Sequence, residues 1–352
     1  MFFKNQYKRF DLVGSSIILL LFFFNACTNN DNPIAWTGST MGTTYQIKIA
    51  HSSLSIQDVS GLKVSIDSTL TIVNKQMSTY DAESEISKFN RFQDTTAFRA
   101  SRQFVAVVEK ALVIGKDSGY AFDITVAPLV DLWGFGRKGQ RIVPPADEEV
   151  ESKLKLIGAR KLSTVNGLAL KKQIPDLQID LSAIAKGYGV DIVAQILSDH
   201  GFKHYLVEIG GEVVARGLNM KGELWKIGID TPGLSSLPGQ NLKAIIALDN
   251  AAVATSGDYR NYFEYENKIY SHTIDPKTGK PVTHNLASVT VITKDCITAD
   301  GLATALMVLG KEQGLSFIEE INQAEAFMIV RKAENEYATF QSSGFYKYIY
   351  EP

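Results

Sequence analysis

The sequence predicts a mixed α+β fold with largely antiparallel sheets and packed helices. Three observations carry that prediction. Residues 56–77 and the stretch after Ser101 show helical periodicity; residues 203–293 read mostly as strands and turns; and the two kinds of element do not alternate regularly, as a doubly wound parallel sheet would require.

Taken in order, residues 43–49 alternate as a strand does. Val59, Leu62, Ile66, Leu70, Val73 and Met77 recur at steps of three and four, which predicts an amphipathic helix over 56–77. Ser101 is a good N-cap for a second helix through Phe104, Val107, Val108, Ala111 and Leu112. A third helix is expected from near Asp147 to near Gly158. Residues 177–180 read as a strand, then a turn, then a helix that starts at Ser182 or Ala183 and runs to Gly201. Strands follow at 205–209, 225–229, 244–248, 261–265 and 288–292. A helix from near Thr298 to Leu309, a short one over 311–321 and two strands close the chain. No linker divides residues 36–352, so one unit is expected there.

Of the 352 residues, 45% are hydrophobic, enough for a substantial core. Lysine and arginine (36) nearly balance aspartate and glutamate (38), and no long basic run exists, which excludes an electrostatic footprint for nucleic acid. Cys27 and Cys296 sit in unlike contexts, so no disulfide framework is expected; five scattered histidines argue against zinc.

The N-terminus reads as an address. Lys4, Lys8 and Arg9 precede an apolar run over 12–24. At about 13 residues it is short for a membrane span of ~20 and right for a signal-peptide core. Ala26-Cys27 after it resembles a bacterial lipobox, although Phe24 and Asn25 depart from the usual leucine and small residue. The expectation is a lipoprotein signal peptide over 1–26, a lipidated Cys27 and a tether over 27–35, leaving the body extracytoplasmic and lipid-anchored to a bacterial membrane, on the periplasmic side of the inner membrane. A plain cleaved signal or an uncleaved anchor would also put the body outside the cytoplasm.

Four clusters carry small, polar and glycine residues where a core would want apolar ones. Met41-Gly42 with Met77-Ser-Thr-Tyr80 can line an aromatic ring, or form a turn with ordinary core residues. Gly119 through Gly136 interleaves aromatics, glycines and acids, suited to a planar ligand or to an anchored loop. Asp180-Leu-Ser-Ala183-Ile-Ala-Lys186-Gly187 puts a lysine one turn into a helix start, an anion site or a simple capped helix; the Walker spacing is absent. The fourth cluster joins residues 254–260, the block from Ser271 through Pro281, and Asp300 with Thr304. Asp300 and Thr304, four apart, share a helix face and offer hard oxygens suited to magnesium; equally, they fit a dipole-stabilised acid and a threonine bonded to its own backbone. His272 is either an acid–base residue or a hydrogen-bonded structural histidine.

Together and in this order, six blocks resemble the ApbE family of FAD:protein FMN transferases: Met41-Gly-Thr-Thr, Met77-Ser-Thr-Tyr80, Phe122-Asp-Ile-Thr-Val through Gly136, Asp180 through Gly187, Ser271-His-Thr-Ile-Asp-Pro276 through Gly279, and Asp300 through Thr304. The resemblance implies a two-lobed, T-fold-like single unit. It places Met41, Tyr80, Ala121, Phe122, Asp123, Asp180, Lys186 and Ile274 where family members hold FAD. Asp300, Thr304 and the carbonyl of Ala183 fall where they hold Mg2+, and His272 where the acceptor hydroxyl is activated. A further acid that some members carry is Ala303 here. The implied reaction is magnesium-dependent transfer of FMN from FAD to a serine or threonine hydroxyl of an acceptor protein, with release of AMP. The implied acceptors are subunits of membrane redox complexes or related flavoproteins with a threonine-containing flavinylation motif. Two alternatives use the same residues: an FAD pyrophosphatase giving FMN and AMP, and a flavin-binding lipoprotein that is not an enzyme.

Overall fold

The computed structural model describes residues 34–50, 56–137, 139, 141–232, 239, 241–258, 261–266, 268–333 and 336–351. The expected signal peptide and Cys27 lie outside the described residues, as do Tyr259 and Arg260 of the fourth cluster. In chain order the elements are β1 (Ile34–Thr40), β2 (Thr43–Ile49), α1 (Ile56–Met77), α2 (Glu85–Arg91), β3 (Phe98–Arg99), α3 (Arg102–Asp117), α4 (Ala127–Leu132), α5 (Asp147–Leu154), β4 (Leu162–Val165) and β5 (Ala169–Lys172). There follow α6 (Ala185–Asp199), β6 (Tyr205–Ile209), β7 (Glu212–Arg216), β8 (Trp225–Asp230), β9 (Leu242–Leu248), β10 (Ala252–Gly257), β11 (Tyr262–Tyr265), β12 (Lys268–Ser271), β13 (Leu286–Thr293), α7 (Cys296–Glu320), β14 (Glu325–Ala333) and β15 (Glu336–Gln341). β1 thus begins inside the span expected to be tether.

Eight strands form one sheet in the order β1-β2-β6-β7-β10-β13-β14-β15. Every neighbouring pair is antiparallel. Strand periodicity divides the core into two layers. Val289 and Val291 of β13, with Ala326 and Met328 of β14, pack with residues of α3 and α7. Tyr205, Val207 and Ile209 of β6 pack with α1 and α6. On the opposite face Leu206, Val213, Val253, Ile292 and Phe327 meet Trp225, Ile246 and Phe345. A separate cluster of Leu129, Trp133, Val150, Ile157 and Ile274 joins α4 and α5 to the β11–β12 hairpin. Trp133 ties it together, donating from Nε1 to the carbonyl of Gly279 at 2.8 Å.

Several expected elements differ. Residues 177–180 join no ladder, because their backbone groups are taken elsewhere. Asn90 grips Ile179 at both its N–H and its carbonyl, each at 2.8 Å, and the buried Lys172 ammonium donates to the carbonyl of Leu177 at 3.1 Å. The next helix starts at Ala185 rather than at Ser182 or Ala183, since Ile184 takes a non-helical φ of −151°. α5 ends at Leu154, short of Gly158. The periodicity missed β1, β7, β10, β12 and the small β3-β5-β4 sheet. The break expected after Leu309 is present: Gly310, at φ 75°, interrupts α7.

α6 and α7 meet at Gly187. A Cβ there would stand 2.4 Å from the carbonyl oxygen of Cys296 and 2.8 Å from the Cα of Ile297, and backbone atoms cannot yield. Asp191 completes the junction, its carboxylate accepting from the N–H groups of Cys296 and Ile297, both at 2.8 Å. We predict that Gly187→Ala lowers stability by about 3 kcal/mol, through backbone displacement in a packed core. Chemical denaturation checks this; an unchanged midpoint would contradict the packing described.

Candidate active site

Two adjoining cavities, of about 450 and 340 Å3, share Thr79, Tyr80, Asp180, Ser182 and Lys186 in their walls. Each is within the roughly 300–1,000 Å3 of ligand pockets. Met41 lines the smaller one. Ala121, Phe122, Asp123, Ala183, His272, Ile274, Asp300 and Thr304 line the larger, so the structure brings together every site residue expected among the described residues. A hollow of about 770 Å3 beside Arg141 and Lys153 contains none of them.

The polar centre is built by the α6–α7 junction. Gly187 N–H, whose helical acceptor would be the carbonyl of Ala183, donates instead to Oδ2 of the buried Asp300 at 2.9 Å. This directs the Asp300 carboxylate, and Ala183 lines the same cavity as Asp300. Thr304, one turn along α7, lies 3.3 Å from Ser256 Oγ through its own hydroxyl. It therefore presents its hydroxyl to the cavity wall rather than only to its own backbone. Lys186 Nζ donates to Glu212 Oε1 at 2.7 Å and stands 3.8 Å from Asp300 Oδ1. Burial disfavours the Lys186 charge, but the Asp300 and Glu212 carboxylates outweigh it and hold the proton more tightly than usual. Burial disfavours the Glu212 charge and raises its pKa; the Lys186 ammonium opposes that rise and Asp300 adds to it. Glu212 Oε2 is buried without a hydrogen-bond partner.

Sequence reasoning missed Glu212. It opens β7 after Gly210 and Gly211, both at positive φ, in the tight turn from β6. An acid directly after a glycine pair and before the apolar run 213–215 was the available signal.

The remaining wall is apolar and ring-like. Met41 sits in the β1–β2 turn at φ 50°, followed by Gly42 at φ 71°. Its methyl packs so closely on α6 that a Cβ at Gly189 would lie 2.7 Å from it. Ala121 and Phe122 are buried, whereas Tyr80 is 78% exposed at the rim shared by both cavities. The Asp123 carboxylate is committed internally: Oδ1 accepts from the Thr125 N–H and hydroxyl, Oδ2 from the Ala159 N–H. Burial raises its pKa above the usual carboxylate range despite those bonds. Asp180 Oδ1 accepts from Ser182 N–H at 2.7 Å.

His272 follows β12 and is half-buried, its ring edge-on to Phe135 at 6.4 Å between centroids. Nδ1 lies 3.0 Å from the carbonyl of Asn261. A carbonyl only accepts, so Nδ1 carries the proton and Nε2 is the basic nitrogen. Burial lowers its pKa below the ordinary value; the Asn261 carbonyl and Asp258 oppose this, and Lys186 reinforces it.

The donor set fits a hard cation: the Asp300 carboxylate and the Thr304 hydroxyl line the cavity beside Ala183, with no thiolate among them. Beside it stand an ammonium and a poised imidazole. The fold and cleft are thus those of an α+β protein equipped to handle a phosphate-bearing, partly planar ligand. The chain belongs to the ApbE family, whose model matches residues 41–328. It is 44% identical, over 96% of its length and 98% of the relative's, to an FAD:protein FMN transferase of Vibrio cholerae. A solved flavin transferase ApbE from Vibrio cholerae superposes with a TM-score of 0.81 at 42% identity, covering 90% of this chain and 99% of that one. The apo flavinyl transferase ApbE of Pseudomonas stutzeri does so with a TM-score of 0.81 at 39% identity, covering 90% and 97%.

The environment of His272 predicts a ring that titrates below the ordinary imidazole value of about 6.5. An NMR titration of the ring protons checks this; a midpoint at or above that value would contradict the described setting.

Proposed function

We propose that this chain is an FAD:protein FMN transferase that moves FMN from FAD to a serine or threonine hydroxyl of an acceptor protein and releases AMP. The observation that carries the reading is the convergence of Asp300, Thr304, Ala183, Lys186 and His272 on one cavity. The names of the relatives support the same activity.

In this reading Met41, Tyr80, Ala121, Phe122 and Ile274 form the wall against the flavin, with Asp180 and Asp123 beside it. Lys186 supplies positive charge to the pyrophosphate. Asp300, Thr304 and the carbonyl of Ala183 would hold Mg2+, which when bound would supply positive charge to the pyrophosphate. His272 Nε2 accepts the proton of the acceptor hydroxyl while its Nδ1–H stays on Asn261. The hydroxyl oxygen bonds to the phosphorus on the FMN side, and the bond from that phosphorus to the bridging oxygen breaks, leaving AMP with the electron pair. Retaining a neutral imidazole at neutral pH serves this step.

Lipidation at Cys27 would hold the body on the extracytoplasmic face of a membrane, the periplasmic face of the inner membrane in the simplest case. There it would meet acceptor subunits of membrane redox complexes or related flavoproteins.

The test uses the full chain in detergent with FAD, magnesium and an acceptor carrying an Asp-Gly-x-Thr-Ser-Ala-Thr segment. The expected result is flavin fluorescence on the denatured acceptor with an equal amount of AMP, both abolished by chelator and by His272→Ala. AMP without labelled acceptor would replace the transferase with an FAD pyrophosphatase; bound FAD without either product would leave a flavin-binding protein. Asp300→Asn keeps an acceptor for Gly187 N–H and removes the charge. It is expected to cut turnover by about 100-fold or more with the fold intact. Near-normal turnover at saturating magnesium would remove Asp300 from the cation site.

A further inference from the structure

Glu212 belongs to none of the six blocks, yet it is 3% exposed and faces the cavity that holds Asp300. Its position is built by the β6–β7 turn. Gly210 at φ 60° and Gly211 at φ 100° bring the chain back sharply, and Glu212 is the first residue of the returning strand. The same turn lies along Lys186, since a Cβ at Gly210 would be 3.4 Å from Lys186 Cδ. The lysine stem and its counter-ion are therefore set by one loop.

The ammonium has two carboxylates within reach but does not share itself equally. It is 2.7 Å from Glu212 Oε1 and 3.8 Å from Asp300 Oδ1. The shorter contact is a charge-assisted hydrogen bond; the longer one is not a hydrogen bond. Asp300 Oδ1 thus keeps lone pairs free, and the buried Glu212 Oε2 has no partner. One ammonium stands between two buried carboxylates, and the excess negative charge on such buried groups is costly unless a further cation joins it.

We propose that Glu212 is a positioning residue that holds Lys186 away from Asp300 and so keeps Asp300 available to the divalent cation. This rests on the transferase reading and its cation site. Without Glu212, Coulomb attraction draws the Lys186 ammonium onto Asp300, where it competes with the metal for the same oxygens. Lys186 would then lose its aim at the pyrophosphate as well.

The experiment titrates the FAD-free full chain with Mn2+, a hard cation of similar coordination, and follows free Mn2+ by its EPR signal. Wild type is expected to bind one ion and Asp300→Asn to lose it; failure of that pair would sink the cation site itself rather than the role of Glu212. Glu212→Gln is expected to weaken Mn2+ binding by about 10-fold or more, as loss of a residue supporting a metal ligand does. Adding Lys186→Met to Glu212→Gln removes the competitor and is expected to restore binding toward wild type. Unchanged affinity in Glu212→Gln would overturn the proposal. So would a double variant as weak as Glu212→Gln, because Glu212 would then be a ligand. Thermal melting of each variant with excess Mn2+ shows whether it is folded; if Glu212→Gln is not, Glu212→Asp, whose shorter stem cannot reach the Lys186 ammonium, is expected to weaken Mn2+ binding and Lys186→Met added to it to restore binding toward wild type, and a Glu212→Asp double variant as weak as Glu212→Asp alone would overturn the proposal.

Discussion

Gly187 and Asp300 are 113 positions apart in the chain, and one hydrogen bond joins them. It forms because glycine lets α6 run against the carbonyl of Cys296 with no side chain between. Much of the cleft depends on that approach. It turns the Gly187 N–H out of the helical ladder and directs Asp300 into the cavity that Ala183 also lines. Asp191 seals the contact by capping the start of α7. Burial pushes Asp191 up to about 6, with the two N–H groups opposing, so this cap is itself held in a poorly solvated place. The packing of two helices on a sheet is thereby converted into the position of one carboxylate in the cleft.

Charge carries the next step. The large antiparallel sheet supplies Glu212 at a turn and Ser256 at the end of β10, while α6 and α7 supply Lys186, Asp300 and Thr304. These groups, proposed to handle phosphate and cation, thus come from helices and strands rather than from loops. His272 and the aromatic residues around it come from a different part of the structure, the cluster of α4, α5 and the β11–β12 hairpin. Chemistry at the cleft needs both parts in register, and the bond from Trp133 to Gly279 anchors the loop that follows His272.

Much of this was legible in the sequence. The apolar spacing of α1 and the Ser101 cap of α3 declare themselves because each has one buried face and a local start signal. Gly310 marked the break in α7 because only a residue without a Cβ takes its φ readily. β7 and β10 were not legible: both are short and largely buried on both faces, so they show no alternation. Residues 177–180 show the opposite error. Leu177 and Ile179 are buried as strand residues would be, but side chains of Asn90 and Lys172 satisfy the backbone in place of a neighbouring strand. The family was legible as six blocks in order, and their residues line the two adjoining cavities. Glu212 was not, since its role comes from where a turn delivers it in space.

The most direct measurement is a crystal structure of the chain with FAD and Mn2+, using the anomalous signal of the metal to locate it. The account predicts one metal peak within bonding distance of Asp300, Thr304 and the Ala183 carbonyl, with the pyrophosphate beside Lys186 and the flavin ring against Met41 and Tyr80. A metal bound elsewhere, or FAD bound outside this cleft, would contradict it.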